Sequence, residues 1–286
     1  MLTYNDIYLG TRRKLRAAGI EAHDLEAKLI VAHAAGKTRE ELLKSSRLFI
    51  TDKSLGQVVD DLIDRRLKGE PVAYIVGEWE FYGIPMIVNE SVMIPRIDTE
   101  VLAGEAIRLM KRRFGQSRLL DLCAGSGCIG LAVAANVPSC RIVLADNSEA
   151  ALAVCRANML RNKLSRNVTA IEADVLESPP ALLGMFDAIV CNPPYIPTGD
   201  LKALEPSVGT YEPLTALDGG PDGLYYFRAV ATNWPALLKQ KGYLAFECGE
   251  GQSEAVCGIL EDSGFNDIKT HLDTLGIERV VVGTMK

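Results

Sequence analysis

The chain has 286 residues, 48% of them hydrophobic, so it can bury a full core as one large or two ordinary domains. The formal net charge of −6 argues against general nucleic-acid binding, which rests on phosphate neutralisation. No uncharged stretch is apolar enough to span a membrane, and residues 1–6 show no signal-peptide pattern, so we expect a cytoplasmic protein without membrane contact. Seven cysteines without a Cys-x-x-Cys pair and three scattered histidines predict neither disulfides nor a metal site.

The first seventy residues have the pattern of consecutive helices. Thr3 with Asp6, and Thr38 with Glu41, have the spacing of capping boxes, which begin helices. Apolar residues within 55–67 recur on one helical face. This part of the chain therefore predicts a small domain of four or five helices.

Strand patterns dominate the rest of the chain. Short β-like pieces at 79–82 and 85–88 predict a hairpin, and a helix from about residue 98 to residue 114 follows. The predicted strands that then alternate with helices are 118–122, 141–145, 168–172, 186–191, 242–247, 267–272 and 278–283. This alternation indicates an α/β fold with a seven-stranded, mostly parallel, Rossmann-like sheet covered on both faces. We predict a helical domain (1–73), a β-hairpin linker (74–95) and an α/β domain (96–286).

A glycine-rich loop follows the first strand of the α/β domain. Cys123-Ala124-Gly125-Ser126-Gly127 opens a Gly-x-Gly-x-x-Gly pattern that leads into an apolar helix. The pattern is typical of dinucleotide sites, where a pyrophosphate meets a helix N-terminus. We expect Asp121 at the mouth of this loop, where its carboxylate would repel a diphosphate and attract a cation. S-adenosyl-L-methionine carries a sulfonium and an ammonium, so it is the cofactor that Asp121 favours.

Acidic residues also follow the next two strands. Asp146 ends the second strand and is placed to accept hydrogen bonds from ribose hydroxyls, a role common to several kinds of nucleotide site. After the third strand, Asp174 is a candidate for the adenine edge and Val175 for the adenine face. The structural alternatives are a turn residue at Asp146 and a helix cap at Asp174.

Asn192-Pro193-Pro194-Tyr195 directly follows the buried apolar run 186–191. Two consecutive prolines lack N–H donors and have fixed φ, so this segment holds its backbone carbonyls rigidly outward. With the Asn192 side-chain oxygen, these carbonyls form an acceptor-only clamp for a planar NH2 group, and the Tyr195 ring is available to pack on that group. A polar turn after a strand is the simpler alternative.

Taken together, these motifs give the chain a family resemblance. It resembles the HemK-type family of S-adenosylmethionine-dependent glutamine-N5 methyltransferases, which modify peptide chain release factors. The segments that carry the resemblance are 66–75, 80–83, 94–96, 99–100, 121–130, 192–195, 211–213, 216–217 and 219–224. Asn-Pro-Pro-Tyr alone is shared with adenine-N6 and cytosine-N4 DNA methyltransferases, so the flanking segments indicate the family. The departures are Cys123-Ala124, where the family usually has Gly-Thr, and Ile97, where it usually has proline.

The resemblance implies a class I methyltransferase domain preceded by a helical domain for substrate recognition. It implies S-adenosyl-L-methionine as cofactor, and methylation of the Gly-Gly-Gln glutamine of class I peptide chain release factors in support of translation termination. Cofactor contacts are implied for Cys123–Gly127, Asp146, Val175 and Asn192, and the catalytic clamp for Asn192–Tyr195. No dedicated strong base is evident, and Glu247 and Glu250 are interpreted as structural.

We expect a monomer without direct DNA binding. Three alternatives stay open from the residues alone. An adenine-N6 nucleic-acid methyltransferase would use the same clamp on a flipped base. A non-catalytic protein could bind the release factor through its helical domain. A nicotinamide-dependent oxidoreductase is suggested only by the glycine spacing.

Overall fold

The structure, a computed structural model, describes residues 2–113 and 115–286. The described chain divides into two units. One unit contains the residues up to Glu78 together with Glu205–Tyr211, and the other contains Trp79–Leu204 and Glu212–Lys286. The sequence assigned residues 205–211 to the C-terminal domain, whereas their contacts group them with the helical unit. The predicted boundaries at residues 73 and 95 stay predictions.

Helices form the first unit. Its helices before the hairpin are α1 (Tyr4–Ala17), α2 (His23–Ala34), α3 (Arg39–Lys44), α4 (Leu55–Leu67) and α5 (Val72–Val76). Both predicted capping boxes are present, at the starts of α1 and α3. Arg66 on α4 donates to Glu26 on α2 over 2.6 Å, and this partly buried ion pair joins two helices that pack on an apolar core. The expected set of four or five helices is confirmed.

The second unit begins with a two-stranded hairpin and continues as alternating strands and helices. The helices and strands from the hairpin onward are, in chain order, β1 (Glu78–Phe81), β2 (Ile84–Ile87), α6 (Thr99–Lys111), β3 (Ser117–Leu122), α7 (Cys128–Asn136), β4 (Cys140–Asp146), α8 (Glu149–Arg161), β5 (Val168–Glu172), β6 (Phe186–Cys191), α9 (Pro206–Tyr211), α10 (Tyr225–Asn233), β7 (Leu238–Glu247), α11 (Ser253–Asp262), β8 (Asn266–Leu272) and β9 (Glu278–Thr284). Helix α9 belongs to the first unit. Short 3-10 helices lie at Ala181–Leu183, Leu201–Ala203, Leu214–Ala216 and Pro235–Leu237. The helix predicted to reach Phe114 ends at Lys111, and residue 114 lies outside the described residues.

The seven strands β3 to β9 form one sheet in the order β5-β4-β3-β6-β7-β9-β8. Strands β5, β4, β3, β6 and β7 are parallel neighbours, and β9 runs antiparallel to both β7 and β8. The predicted mostly parallel sheet is confirmed. Strand β7 begins four residues earlier than expected, at Leu238 instead of residue 242. The residues after Leu238 are polar and form a bulge between the paired positions Phe186↔Leu238 and Ala188↔Tyr243. The sequence pattern therefore does not indicate the first residues of this strand.

The strand order reverses at β3. From β3 the chain moves through β4 to β5 on one side, and then returns to β6 on the other side of β3. Leu122, the last residue of β3, pairs in register with Cys191, the last residue of β6. The loops after these two strands therefore leave the sheet side by side, which is the position where open α/β sheets bind ligands.

A buried asparagine fastens the hairpin to the sheet. Asn158 on α8 is fully buried, and its Oδ1 accepts the Ile87 N–H over 2.6 Å. Its Nδ2 donates to the carbonyl of Ile87 and to the carbonyl of Ser126 in the glycine-rich loop, both over 3.0 Å. One side chain thus fixes the end of β2 against the loop after β3. Within the described residues, no helix combines the length and apolar character needed to cross a bilayer.

We predict that Asn158→Ala lowers the free energy of unfolding by about 2–4 kcal/mol, because it leaves several buried backbone groups without partners. Urea unfolding monitored by circular dichroism measures this loss. Asn136→Ala is the matched control, since Asn136 is exposed and bonds only within its own helix. A loss for Asn158→Ala no larger than that of the control would contradict this role.

Candidate functional site

A cavity of about 260 Å³ lies at the carboxyl ends of β3, β4, β5 and β6. Eight of the residues singled out in the sequence line it: Cys123, Ala124, Gly125, Ser126, Asp146, Val175, Asn192 and Pro194. Asp121, Gly127, Asp174, Pro193 and Tyr195 do not line it. The sheet therefore brings together the glycine-rich loop, the end of β4, the turn after β5 and part of the Asn-Pro-Pro-Tyr segment.

Asp121 lies beneath the glycine-rich loop and not at its mouth, where the sequence argument placed it. The side chain is fully buried, and its Oδ2 accepts the backbone N–H of Gly130 over 2.8 Å. Helix α7 approaches the sheet closely at Gly130, because a Cβ there would lie 2.4 Å from the Leu144 side chain. Burial raises the pKa of Asp121 to about 7. Asp121 thus anchors the start of α7, and its role toward a cation stays a prediction.

The glycine-rich loop turns through left-handed backbone conformations. Gly127, at φ 80°, precedes α7, and a Cβ on it would lie 2.9 Å from the Leu144 side chain. Cys123 adopts φ 54°, a conformation that costs a non-glycine residue about 1–3 kcal/mol. Cys123 therefore adopts this turn at an energetic cost that glycine would avoid.

Asp146 closes the loop from the end of β4. Its Oδ2 accepts the Gly125 N–H over 2.8 Å, and its Oδ1 accepts the Ser148 N–H over 3.0 Å. Burial raises the pKa of Asp146, and these backbone hydrogen bonds oppose the rise. Each carboxylate oxygen has a second lone pair, so Asp146 keeps acceptor capacity for ligand hydroxyls while it holds the loop.

In the turn after β5, Val175 lines the cavity and Asp174 does not. The Oδ1 of Asp174 accepts the Leu176 N–H over 2.9 Å, which is a local turn role and not the helix cap that the sequence left open for this residue. Asn147 lines the cavity and lies 3.4 Å from the Asp174 carboxyl. The Val175 carbonyl accepts the indole N–H of buried Trp234 over 3.0 Å, which fixes Val175 at the cavity wall.

Backbone contacts hold the Asn-Pro-Pro-Tyr segment in place. The Tyr195 carbonyl accepts a hydrogen bond from Gln252 Nε2 over 2.9 Å. Ile196 forms a parallel bridge with Asp218, which ties the segment to the glycine-containing turn that follows. Tyr195 points its hydroxyl toward Glu247, 3.5 Å from Oε1, and its ring lies outside the cavity lining. Packing of this ring on a bound NH2 group stays a prediction.

The charge of the cavity lining is distinctive. Of the described residues that line it, Asp146 alone carries a formal charge, and none is lysine or arginine. Such a wall offers a carboxylate and neutral acceptors to a ligand, but no cation for a phosphate. The lining fits a cationic ligand better than a dinucleotide.

Several lining residues were missed by the sequence argument. They are Ser91, Val92, Met93, Pro95, Cys128, Ile129, Asn147, Ser148, Ala151, Ala173, Pro213, Thr215, Ala216 and Tyr226. Five of them, Pro95, Cys128, Ile129, Pro213 and Ala216, lie inside segments that carry the family resemblance, so a signal for them existed. For Ser91–Met93 the sequence contains no chemical signal, because contacts between residues distant in sequence, among them the Asn158 hydrogen bonds to Ile87, hold the chain before this segment.

An ion pair supports one side of the cavity. Arg96, next to Pro95, donates to Glu212, next to Pro213. Glu212 is buried and Arg96 is partly exposed. Burial raises the pKa of Glu212, and Arg96 opposes the rise by charge and by hydrogen bonding. The pair holds together two chain segments that are far apart in sequence and that both line the cavity.

Comparison with known proteins identifies the family of this chain. The PrmC N-terminal domain family matches residues 7–77, and the Methyltransferase small domain family matches residues 101–204. The release factor glutamine methyltransferase of Geobacter sulfurreducens is 40% identical over 273 residues, which cover 96% of this chain and 93% of that protein. The chain belongs to the release factor glutamine methyltransferase family. The resemblance identified from the motifs is thereby confirmed.

Other members of this family and a solved structure extend the comparison. The release factor glutamine methyltransferase of Caulobacter vibrioides is 36% identical and covers 99% of this chain and 96% of that protein. The hMettl16 catalytic domain, solved in complex with MAT2A 3'UTR hairpin 6, gives a TM-score of 0.56 at 15% identity over 79% of this chain and 82% of that chain. At that identity the likeness concerns the methyltransferase fold alone.

We predict that Arg96→Ala lowers the free energy of unfolding by about 2 kcal/mol, because it leaves the Glu212 carboxylate buried without its partner. The loss is smaller than for a fully buried pair, since solvent screens the partly exposed Arg96. Chemical denaturation measures it. Arg156→Ala is the control, because its pair with Glu149 is exposed on both sides. Equal losses in the two variants would show that the Arg96 pair is an ordinary surface contact.

Proposed function

We propose that this chain transfers a methyl group from S-adenosyl-L-methionine to the side-chain amide nitrogen (N5) of the Gly-Gly-Gln glutamine of class I peptide chain release factors. Membership of the release factor glutamine methyltransferase family supports both the reaction and the substrate. The observation that carries the proposal is Asn192 at the cavity wall, with its Nδ2 directed at Thr99 Oγ1, 3.4 Å away. Because Nδ2 points there, Oδ1 is available to accept from an NH2 group in the cavity.

The described lining fits S-adenosyl-L-methionine. Asp146 would accept the ribose hydroxyls, Val175 would cover the adenine face, and Cys123–Ser126 would lie along the methionine part. An acidic wall without lysine or arginine supports a ligand that carries a sulfonium and an ammonium, and it opposes a pyrophosphate. This argues against the oxidoreductase alternative. When bound, the cofactor supplies an electrophilic methyl group on sulfur.

The protein must orient a poor nucleophile. The nitrogen lone pair of a carboxamide is delocalised into its carbonyl, so the site has to aim it and support developing positive charge. Asn192 Oδ1 and the rigid Pro193 carbonyl would each accept one N–H, which points the lone pair at the methyl group and stabilises charge in the transition state. The N–CH3 bond would form as the S–CH3 bond breaks, the sulfur would leave as a neutral thioether, and the nitrogen would lose one N–H proton to solvent. Such positioning supplies roughly 7–11 kcal/mol in a well-aligned complex.

The testing experiment offers labelled S-adenosyl-L-methionine to the full chain with either a class I release factor or duplex DNA. Peptide mass spectrometry then locates any added methyl group. Methylation of the Gly-Gly-Gln glutamine is the expected result. Methylation of adenine alone would overturn the substrate, and absence of transfer to both despite cofactor binding would revive the non-catalytic alternative. Calorimetry with S-adenosyl-L-methionine and with NAD separates the oxidoreductase alternative.

We predict that Asn192→Ala lowers the rate of methyl transfer by about 100-fold or more, because one preorganised transition-state acceptor is lost. The Kd for S-adenosyl-L-methionine should change much less, since Asn192 serves chiefly the transition state. Single-turnover kinetics and calorimetry measure the two quantities. Asn136→Ala, on an exposed helix position, serves as control. Equal losses in rate and cofactor affinity would contradict the assigned role.

A further inference from the structure

We propose that Glu247 is a positioning residue, whose buried carboxyl acts with Thr99 to hold the Asn192 side-chain amide with Oδ1 toward the cavity. The proposal rests on the proposed function, because it assigns the acceptor role to Asn192 Oδ1. Glu247 is 2% exposed and does not line the cavity, so it acts through Asn192 and does not touch the substrate. From the sequence alone, Glu247 is interpreted as structural.

The sheet places Glu247 beside the clamp. Strand β7 pairs in parallel with β6, with Phe246 opposite Cys191, so Glu247 and Asn192 leave neighbouring strand ends at the same level. Thr99, the first residue of α6, is fully buried, and its hydroxyl faces the Asn192 Nδ2 atom. The Tyr195 hydroxyl lies 3.5 Å from Glu247 Oε1. Glu247 is thus directed at the polar side chains of the Asn-Pro-Pro-Tyr segment.

The other oxygen of this carboxyl is unusual. Glu247 Oε2 is buried and has no hydrogen-bond partner within the part of the chain that the structure describes. A buried carboxyl with an unpartnered oxygen weakens a fold, so burial of Glu247 is not explained by stability. Glu247 follows the strand position paired with Cys191, which precedes Asn192, and it lies 3.5 Å from the Tyr195 hydroxyl, so its location indicates a role in the site.

An asparagine amide has two orientations that exchange its oxygen and its NH2 group. A carboxylate only accepts hydrogen bonds, so it selects the orientation in which Nδ2 faces Glu247 and Thr99. In the opposite orientation two NH2 groups, one from Asn192 and one from the substrate glutamine, would face each other. The carboxylate therefore specifies which Asn192 atom reaches the cavity.

The charge state of Glu247 follows from its surroundings. Burial raises its pKa to about 7, and the side chains of Thr99 and Asn192 oppose that rise. The titratable and charged neighbours are Asp98 before α6, Arg279 on β9, Tyr195 after β6, Cys128 on α7 and the adjacent Cys248; of these Asp98 raises the Glu247 pKa and Arg279 lowers it. Methyl transfer should therefore increase as pH rises through the range where Glu247 ionises.

The experiment compares Glu247→Gln with the exposed neighbour Glu250→Gln in the methyl-transfer assay, using the full chain and a release factor. For Glu247→Gln we expect a kcat about 10- to 100-fold lower, since glutamine also donates and no longer fixes the amide. The KM for the release factor and the Kd for S-adenosyl-L-methionine should stay close to wild type. The rise of kcat around neutral pH should disappear in this variant and persist in Glu250→Gln.

Measurements of stability distinguish a positioning role of Glu247 from a structural role. The folded-state pKa of Glu247 is raised above its ordinary value of 4.5 to about 7, so its contribution to stability is lost as pH rises across that range. Glutamine does not ionise, so Glu247→Gln should keep or increase the unfolding temperature at about pH 8. A marked loss of stability in that variant would assign a structural role and overturn the proposal.

Substitutions of Thr99 provide a second, independent test of the positioning role. Thr99→Ser keeps the hydroxyl and should keep most of kcat, whereas Thr99→Val removes the hydroxyl and should lower kcat. Wild-type kcat and pH profile in Glu247→Gln, or equal activities in the two Thr99 variants, would overturn the positioning role. If Asn192→Ala is also fully active, the proposed function itself has failed, and that outcome is distinct from failure of Glu247 alone.

Discussion

The reversal of strand order at β3 is the constraint on which the site depends. Because β4 and β5 lie on one side of β3 and β6 lies on the other, the loops after β3 and β6 must emerge together. The register of Leu122 with Cys191 then sets the glycine-rich loop and the Asn-Pro-Pro-Tyr segment at one height above the sheet. The parallel sheet thereby joins the acidic pocket and the acceptor clamp, which come from different loops.

Two buried carboxyls lie at this edge of the sheet. Asp121 and Glu247 are both fully enclosed, both have pKa values raised to about 7, and each has one oxygen without a hydrogen-bond partner among the described residues. Two such groups reduce stability, since a low-dielectric site penalises unpaired carboxylates. Their location next to the two functional loops is consistent with residues retained for the site at the expense of the fold. Asp121 anchors the start of α7, and Glu247 faces the clamp.

Much of the fold was predictable from the sequence because its signals are local. Strand periodicity, glycine spacing and capping boxes each involve residues within a few positions, and all seven strands were located. How deeply a residue is buried cannot be predicted from such local signals, because it depends on which elements pack over the residue. The sequence located Asp121 at the correct strand end, but could not reveal that α7 covers it. Asn158 carried no signal at all, since its partners lie 71 and 32 residues away in sequence.

The clamp itself does not determine its substrate. An acceptor pair for an NH2 group suits the amide of glutamine and the exocyclic amine of adenine equally well, because both are planar and both present two N–H donors. Discrimination between them has to come from the surrounding wall. In this chain that wall includes the segment after the hairpin and the segment around Pro213, held by Asn158 and by the Arg96–Glu212 pair. The segment around Pro213 belongs to the family resemblance, whereas Ser91–Met93 carry no motif, and the positions of both depend on buried polar contacts between residues distant in sequence. The chemistry can therefore be inferred from four consecutive residues, whereas the choice of substrate requires the folded chain and its family.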